Sequence, residues 1–164
     1  MSVNDLIAEQ DEARSYEHTF CLWPRLWRQY AEAPGYTFDW EERKFLASEA
    51  DNVPNEPGLY TFVIQPSMAN HPSNAYLMYV GKTKRTLRQR FKEYLKEMHR
   101  ESGRPKIVRL LNKYPNNTVF CYSSVQESAT TLSEMEKALI GALIPPCNKE
   151  QLPVKVRRIV EALR

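Results

Sequence analysis

The spacing of apolar residues changes several times along this chain, and each change predicts an element. Gly58 to Ile64 is rich in β-branched and aromatic residues and lies between Pro57 and Pro66, which is the pattern of a strand. Ala75 to Val80, closed by Gly81, predicts a second strand. The intervening 65–74, with two prolines and two asparagines, predicts the enlarged loop of a hairpin. Leu87, Phe91, Tyr94, Leu95 and Met98 then recur at helical spacing, giving an amphipathic helix over roughly 85–101 that Ser102-Gly103 stops. Pro105 suits the first turn of a short helix reaching Lys113, with Ile107, Val108, Leu110 and Leu111 facing inward. Thr118 to Ser124 predicts a third strand. A helix follows at about 130–143, with Thr131 or Ser133 as candidate caps and Pro145-Pro146 as its stop. Pro153 opens a last basic helix carrying Val156, Ile159, Val160 and Leu163 on one face.

Before Pro57 the pattern is weaker. It gives a helix at 2–14 and then a stretch containing Trp23, Trp27 and Trp40, in which Trp23-Pro24-Arg25-Leu26-Trp27 is expected to pack against the main domain. The chain therefore divides into an acidic, Trp-containing N-terminal extension (1–56), a main α+β domain (57–148) and a C-terminal basic amphipathic helix (149–164).

Charge sharpens this division. The net +3 conceals 12 acidic against 5 basic residues in 1–56, and 12 basic against 3 acidic in 82–113. A local excess of nine positive charges is the footprint of a polyanion partner. No segment approaches the roughly 20 apolar residues that cross a bilayer, and the N-terminus lacks a basic-then-apolar signal pattern, so the expectation is a cytoplasmic protein without a membrane partner. Cys21, Cys121 and Cys147 are odd in number and far apart, which fits neither a disulfide framework nor a thiolate metal clamp. His18, His71 and His99 are equally scattered.

Two charged residues sit oddly for solvated helix faces. Glu136 lies four residues after Leu132 and three and four before Leu139 and Ile140, on or beside an apolar stripe, where a carboxylate needs a metal, a cation or an edge position. Arg90 falls between Leu87 and Tyr94, flanking a buried stripe, and a guanidinium there can clamp a phosphate in bidentate fashion.

Gly58-Leu59-Tyr60 and Tyr79-Val80-Gly81 resemble the paired tripeptides that name the GIY-YIG nuclease family, with Leu59 and Val80 standing where that pattern has isoleucine. The likeness continues through Lys82-Thr83, Leu87-Arg88-Gln89-Arg90 and Tyr94, then Glu136, Leu139-Ile140 and Pro145-Pro146-Cys147-Asn148, covering residues 57–148. It is similar to the incision domain of bacterial nucleotide-excision repair and to small stand-alone endonucleases. The loop at 65–75 is longer than in the shortest members.

That resemblance implies a three-stranded antiparallel sheet flanked by helices, to which this chain adds its N-terminal helical extension. It further implies a metal-dependent endonuclease hydrolysing DNA phosphodiester bonds. Glu136 would hold a single Mg²⁺ or Mn²⁺, hard cations that prefer carboxylate, water and phosphate oxygens. Arg90 would neutralise charge on the phosphoryl oxygens, and Tyr60 would be the base for the attacking water. Lys82 would supply positive charge beside it, because a free phenol titrates near 10 and needs cationic neighbours to act as a base near neutrality. Tyr79 and Tyr94 would orient phosphate or water, and Asn148 would position the backbone or the metal-bearing helix end. The phenol at 60, the guanidinium at 90 and the carboxylate at 136 are expected to surround one point.

Beyond these residues, Lys84, Arg85, Arg88, Lys92, Arg100, Arg104, Lys106 and Arg109 are candidates for phosphate contacts that position duplex or branched DNA without reading sequence. A one-metal site cuts one strand per visit, so a double-strand break would call for a homodimer, a larger nuclease complex or two visits. The competing expectation is a catalytically silent module that binds nucleic acid or protein on the same fold.

Overall fold

The computed structural model describes residues 2–32, 36–66, 74–100 and 102–163. Its centre is an antiparallel sheet of four strands, β1 (Glu41–Lys44), β2 (Gly58–Ile64), β3 (Tyr76–Thr83) and β4 (Thr118–Ser124), in the order β1-β4-β2-β3. The three strands expected from the sequence are all present and neighbour one another. The fourth, β1, corrects the expected count: it lies within 1–56 and pairs with β4, Glu41 opposite Tyr122 and Lys44 opposite Val119. Its sequence, Glu-Glu-Arg-Lys, has no apolar alternation, because only one of its edges and little of its surface are covered.

Each face of the sheet carries helices. On one face lie α3 (Leu87–Arg100), α4 (Pro105–Lys113) and a 3-10 turn at Ala47–Asn52. Phe91 and Tyr94 of α3, Ile107 and Leu111 of α4, and Phe45 and Val53 on either side of the turn pack on Tyr60, Phe62, Met78, Tyr79 and Phe120 of the strands. The opposite face is covered by α5 (Ala129–Leu143), α6 (Val154–Ala162) and a short α2 (Pro24–Trp27), whose Leu26, Leu132, Leu139, Ile140, Val156 and Val160 meet Leu59 and Val80. Adjacent strand residues point to opposite faces, so Tyr60 and Tyr79 look toward α3 while their neighbours Leu59 and Val80 look toward α5.

The helix ends follow local chemistry. The N-cap of α5 is Ser128, whose side chain accepts from the Thr131 amide, replacing Thr131 and Ser133 as the expected caps. Ser133 lies inside the helix and donates to the Ala129 carbonyl. Ile144 ends α5 in a left-handed conformation, φ 47°. Pro105 stands at the start of α4, as its position predicted. The first helix, α1 (Val3–Ser15), carries a Ser2–Asp5 capping box and buries no residue. Of the Trp-rich stretch, Leu26 is buried and Trp23 and Tyr30 are half-buried against α5, whereas Trp27 and Trp40 remain exposed. Most of the expected hairpin loop falls at 67–73, outside the described residues. Among the described residues, no helix is long and apolar enough to cross a membrane.

Candidate active site at the edge of the sheet

Strand β3 is an outer strand, and the sequence-predicted site residues gather around it. Tyr60 stands opposite Gly81 in the β2–β3 register. A side chain on Gly81 would meet the Tyr60 ring at 2.6 Å and its oxygen at 2.7 Å, so only glycine lets that phenol lie across the neighbouring strand. Gly58 answers a different need: a β-carbon there would sit 2.2 Å from the Ser123 carbonyl oxygen of β4.

The Tyr60 ring is fully buried, and its hydroxyl meets two partners. Arg90 Nε donates to it at 3.1 Å, and the Tyr94 hydroxyl lies 3.0 Å away. The other Arg90 nitrogens are occupied as well, Nη2 donating to the Tyr94 oxygen at 3.0 Å and Nη1 to Glu93 Oε2 at 2.8 Å. Arg104, which precedes α4, donates through Nη1 to the Tyr79 oxygen at 2.7 Å and more distantly to Tyr94 at 3.4 Å. Three phenols and two guanidinium groups thus form one network.

A proton inventory gives this network a direction. A phenol oxygen has two lone pairs and one hydrogen. With Arg90 and Arg104 both donating to Tyr94, its acceptor capacity is filled and its own hydrogen is left for Tyr60. Tyr60 then accepts from Tyr94 and Arg90, and the protons of Tyr60 and of Tyr79, which accepts from Arg104, have no acceptor within the network. Burial pushes the Tyr79 and Tyr94 phenols well above the ordinary tyrosine range, and neighbouring phenols add to the shift while the arginines oppose it. Burial also works against the charge on Arg90, but the oxygens of Tyr60 and Tyr94 and the Glu93 carboxylate outweigh it, so that group stays a cation.

Glu136 is held differently. It is a buried residue of α5, and its Oε2 accepts from the Lys82 ammonium, which answers the sequence-level question of what compensates its charge. Lys82 pairs with Leu59 across the ladder, and both therefore belong to the α5 face of the sheet. The expectation of a single point surrounded by residues 60, 90 and 136 is corrected accordingly. The phenol–arginine network and the Lys82–Glu136 pair lie on opposite faces and approach each other around the outer edge of β3. Their proximity is electrostatic as well as topological, since the Glu136 charge contributes to raising the Tyr79 phenol.

Asn148 closes that edge. Its Nδ2 donates to the Val80 carbonyl and its Oδ1 accepts from the Val80 amide, both at 2.8 Å, so one side chain satisfies β3 as another strand would. A second contact runs from Nδ2 to Gln151. Of the two roles considered from sequence, positioning the backbone is the one its contacts match. Beside it opens a cavity of about 410 Å³ lined by Tyr79, Arg104, Lys106, Ile107, Cys147 and Asn148.

The outlying basic residues divide into two sets. Arg85 pairs with Glu93, Arg88 donates to the Val53 carbonyl, Lys92 pairs with Asp51, and Lys106 pairs with Glu150. Lys84, Arg100 and Arg109 are exposed and make no hydrogen bond or ion pair among the described residues. Sequence reasoning missed two members of the network. Glu93 was detectable, since it stands three residues after Arg90 on the same helix, a spacing at which opposite charges meet. Arg104 was read only as a peripheral phosphate contact; its junction with Tyr79 joins separate elements and leaves no local signal.

The donor chemistry bears on the implied metal. No group of three or more His, Cys, Asp or Glu side chains converges among the described residues, so a multi-carboxylate or thiolate centre does not fit. A single oxygen donor, Glu136, whose contact to Lys82 is made through one of its two carboxylate oxygens, does fit a hard cation that keeps most of its water. No family model, no curated protein and no solved structure matches the chain, so the chemistry rests on this geometry.

Proposed function

We propose that the protein is a metal-dependent endonuclease that hydrolyses phosphodiester bonds in DNA, working at the outer edge of β3. The observation that carries this reading is the Tyr60–Arg90–Tyr94 triad of hydrogen bonds, in which a buried phenol receives two donors and keeps a proton with no acceptor inside the network. In this reading Tyr60, whose phenol lies across the strand at Gly81, is the base for the attacking water. Glu136 would hold Mg²⁺ or Mn²⁺, which when bound supplies Lewis-acid stabilisation of charge on the leaving oxygen.

The remaining roles belong to the chain itself. Water oxygen bonds to phosphorus and the bond from phosphorus to the 3′ oxygen breaks. Tyr60 would first release its own proton to solvent; the phenolate then takes one proton from the attacking water, and solvent returns a proton to the leaving group. Arg90 fixes the Tyr60 and Tyr94 oxygens relative to each other. Lys82 neutralises the Glu136 carboxylate at the rim and brings positive charge toward the phosphate path. Tyr79, held by Arg104, borders the cavity along which the strand would run. The basic surface of 82–113, above all Lys84, Arg100 and Arg109, supplies non-specific attraction to the backbone.

The test is nicking of supercoiled plasmid and cleavage of duplex, branched and single-stranded oligonucleotides with Mg²⁺ or Mn²⁺. Wild-type protein is expected to cut, whereas Glu136→Ala and Tyr60→Phe lose at least about 100-fold of the rate, the scale of removing one transition-state contact. Equal rates for wild type and Glu136→Ala would refute the mechanism. Binding without cleavage of any substrate would favour the silent-module reading.

A further inference from the structure

Arg90 and Arg104 both reach Tyr94, yet they are placed very differently. Arg90 uses all three of its nitrogens on protein partners, Tyr60, Glu93 and Tyr94, and its side chain is 12% exposed. Arg104 uses only Nη1, on Tyr79 and Tyr94, and its Nε and Nη2 make no hydrogen bond among the described residues. Arg104 is an exposed residue, forms no ion pair among the described residues, and lines the open cavity beside β3 with Lys106 and Tyr79. An anion entering from solvent meets the second guanidinium before the first.

We infer that Arg104, not Arg90, is the arginine that contacts a phosphate of the nucleic-acid substrate, and that Arg90 is a positioning residue for the phenols. The inference rests on the nuclease reading for its substrate class. Its physical basis is donor supply. A guanidinium binds phosphate with a pair of N–H groups, and Arg104 retains two nitrogens for this while its third is anchored on Tyr79. That anchor holds the fork in place and limits the rotamer freedom lost on binding. For Arg90 to take the same role, a phosphate would have to reach the second N–H groups of Nη1 and Nη2 on a side chain that is only 12% exposed and already committed to Tyr60, Glu93 and Tyr94. The phosphate would then sit between Arg104 and the Lys82–Glu136 rim, along β3 and within reach of Tyr79.

Two variants separate a substrate contact from a structural one. Arg104→Gln retains an N–H donor for Tyr79 but removes the charge, and Arg104→Lys retains the charge but not the fork. DNA affinity is read across a salt series by fluorescence anisotropy, and single-turnover cleavage is read alongside it. Expected for Arg104→Gln are a slope of log K against log salt reduced in magnitude by about one, a fall in cleavage of about 100-fold, and an unchanged melting temperature. Arg104→Lys is expected to keep the slope and recover only part of the rate. Arg90→Gln is expected to leave the salt slope at its wild-type value while lowering the melting temperature. A wild-type slope and rate in Arg104→Gln would overturn the inference, as would loss of slope in Arg90→Gln alone. If wild type binds but never cuts, while Arg104→Gln still loses one unit of slope, the nuclease reading fails and the phosphate contact stands. Absence of any DNA binding by the wild type overturns both.

Discussion

At the scale of single residues, the site depends on contacts too close to tolerate ordinary substitutions. A methyl group at position 81 would press on the ring and oxygen of Tyr60, neither of which can retreat from a fully packed core. Gly81→Ala is therefore expected to cost about 1–3 kcal/mol in denaturant unfolding, the scale of core overpacking, and to reduce cleavage far more than that loss of stability explains. Normal activity in a folded Gly81→Ala protein would mean that the position of Tyr60 does not matter. The buried phenols also set an alkaline limit. Tyr79 and Tyr94 titrate higher in the folded protein than the ordinary value of 10.0, so the folded state holds their protons more tightly. Their contribution to stability is complete below pH 10 and is lost as pH rises from there toward the folded values. Urea midpoints measured from pH 8 to 11.5 are expected to be level at first and then to fall. Tyr94→Phe should flatten that fall, and an equally steep decline in the variant would contradict this origin.

At the scale of elements, the outer strand β3 is finished by a side chain instead of a backbone neighbour. Asn148→Ala leaves the Val80 amide and carbonyl unpaired in a buried setting, at about 1–3 kcal/mol for each group. We expect a loss of about 2–6 kcal/mol, together with faster hydrogen exchange at the Val80 amide. Asn148→Asp retains an acceptor for that amide but cannot donate to the carbonyl, and should protect it to an intermediate degree. Unchanged exchange at Val80 in Asn148→Ala would show that the clamp is dispensable. Most elements were legible in the sequence because each buries a face whose period is written in its residues. Leu87, Phe91 and Tyr94 announced α3, and Pro57 and Pro66 bracketed β2. Strand β1 was not legible, since Glu41–Lys44 buries too little to alternate. The Ser128 cap was passed over for two equally suitable residues further along the same polar run.

For the whole molecule, the sheet ties the acidic N-terminal segment to the remainder. Phe45, Ala50 and Val53 are buried in the cluster that surrounds Tyr60, and β1 covers the free edge of β4. Removing residues 1–56 would expose that edge and delete side chains such as Phe45 and Val53, worth roughly 1.5–3 kcal/mol each when fully buried. A chain beginning at Pro57 is accordingly expected to lose cooperative urea unfolding and to aggregate, whereas one beginning at Thr37 should retain both the sheet and the cluster. A stable 57–164 fragment would show that β1 is an accessory. Tyr60, Arg90 and Tyr94, singled out by the resemblance to the GIY-YIG pattern, come together in one hydrogen-bonded network. The shape of the site was not legible in the sequence. Which face of the sheet α5 covers is decided by long-range packing of Leu132, Leu139 and Ile140 on Leu59 and Val80, and nothing near Glu136 in the sequence reports it.

The central claim is that chemistry occurs where these two faces meet, at the outer edge of β3. It is tested most directly by titrating Mn²⁺ into ¹⁵N-labelled protein and following paramagnetic broadening of the backbone amides. Broadening is expected first around Gly81, Lys82 and Glu136, and should disappear in Glu136→Gln. Broadening confined to the acidic N-terminal segment, or unaltered in Glu136→Gln, would contradict the account.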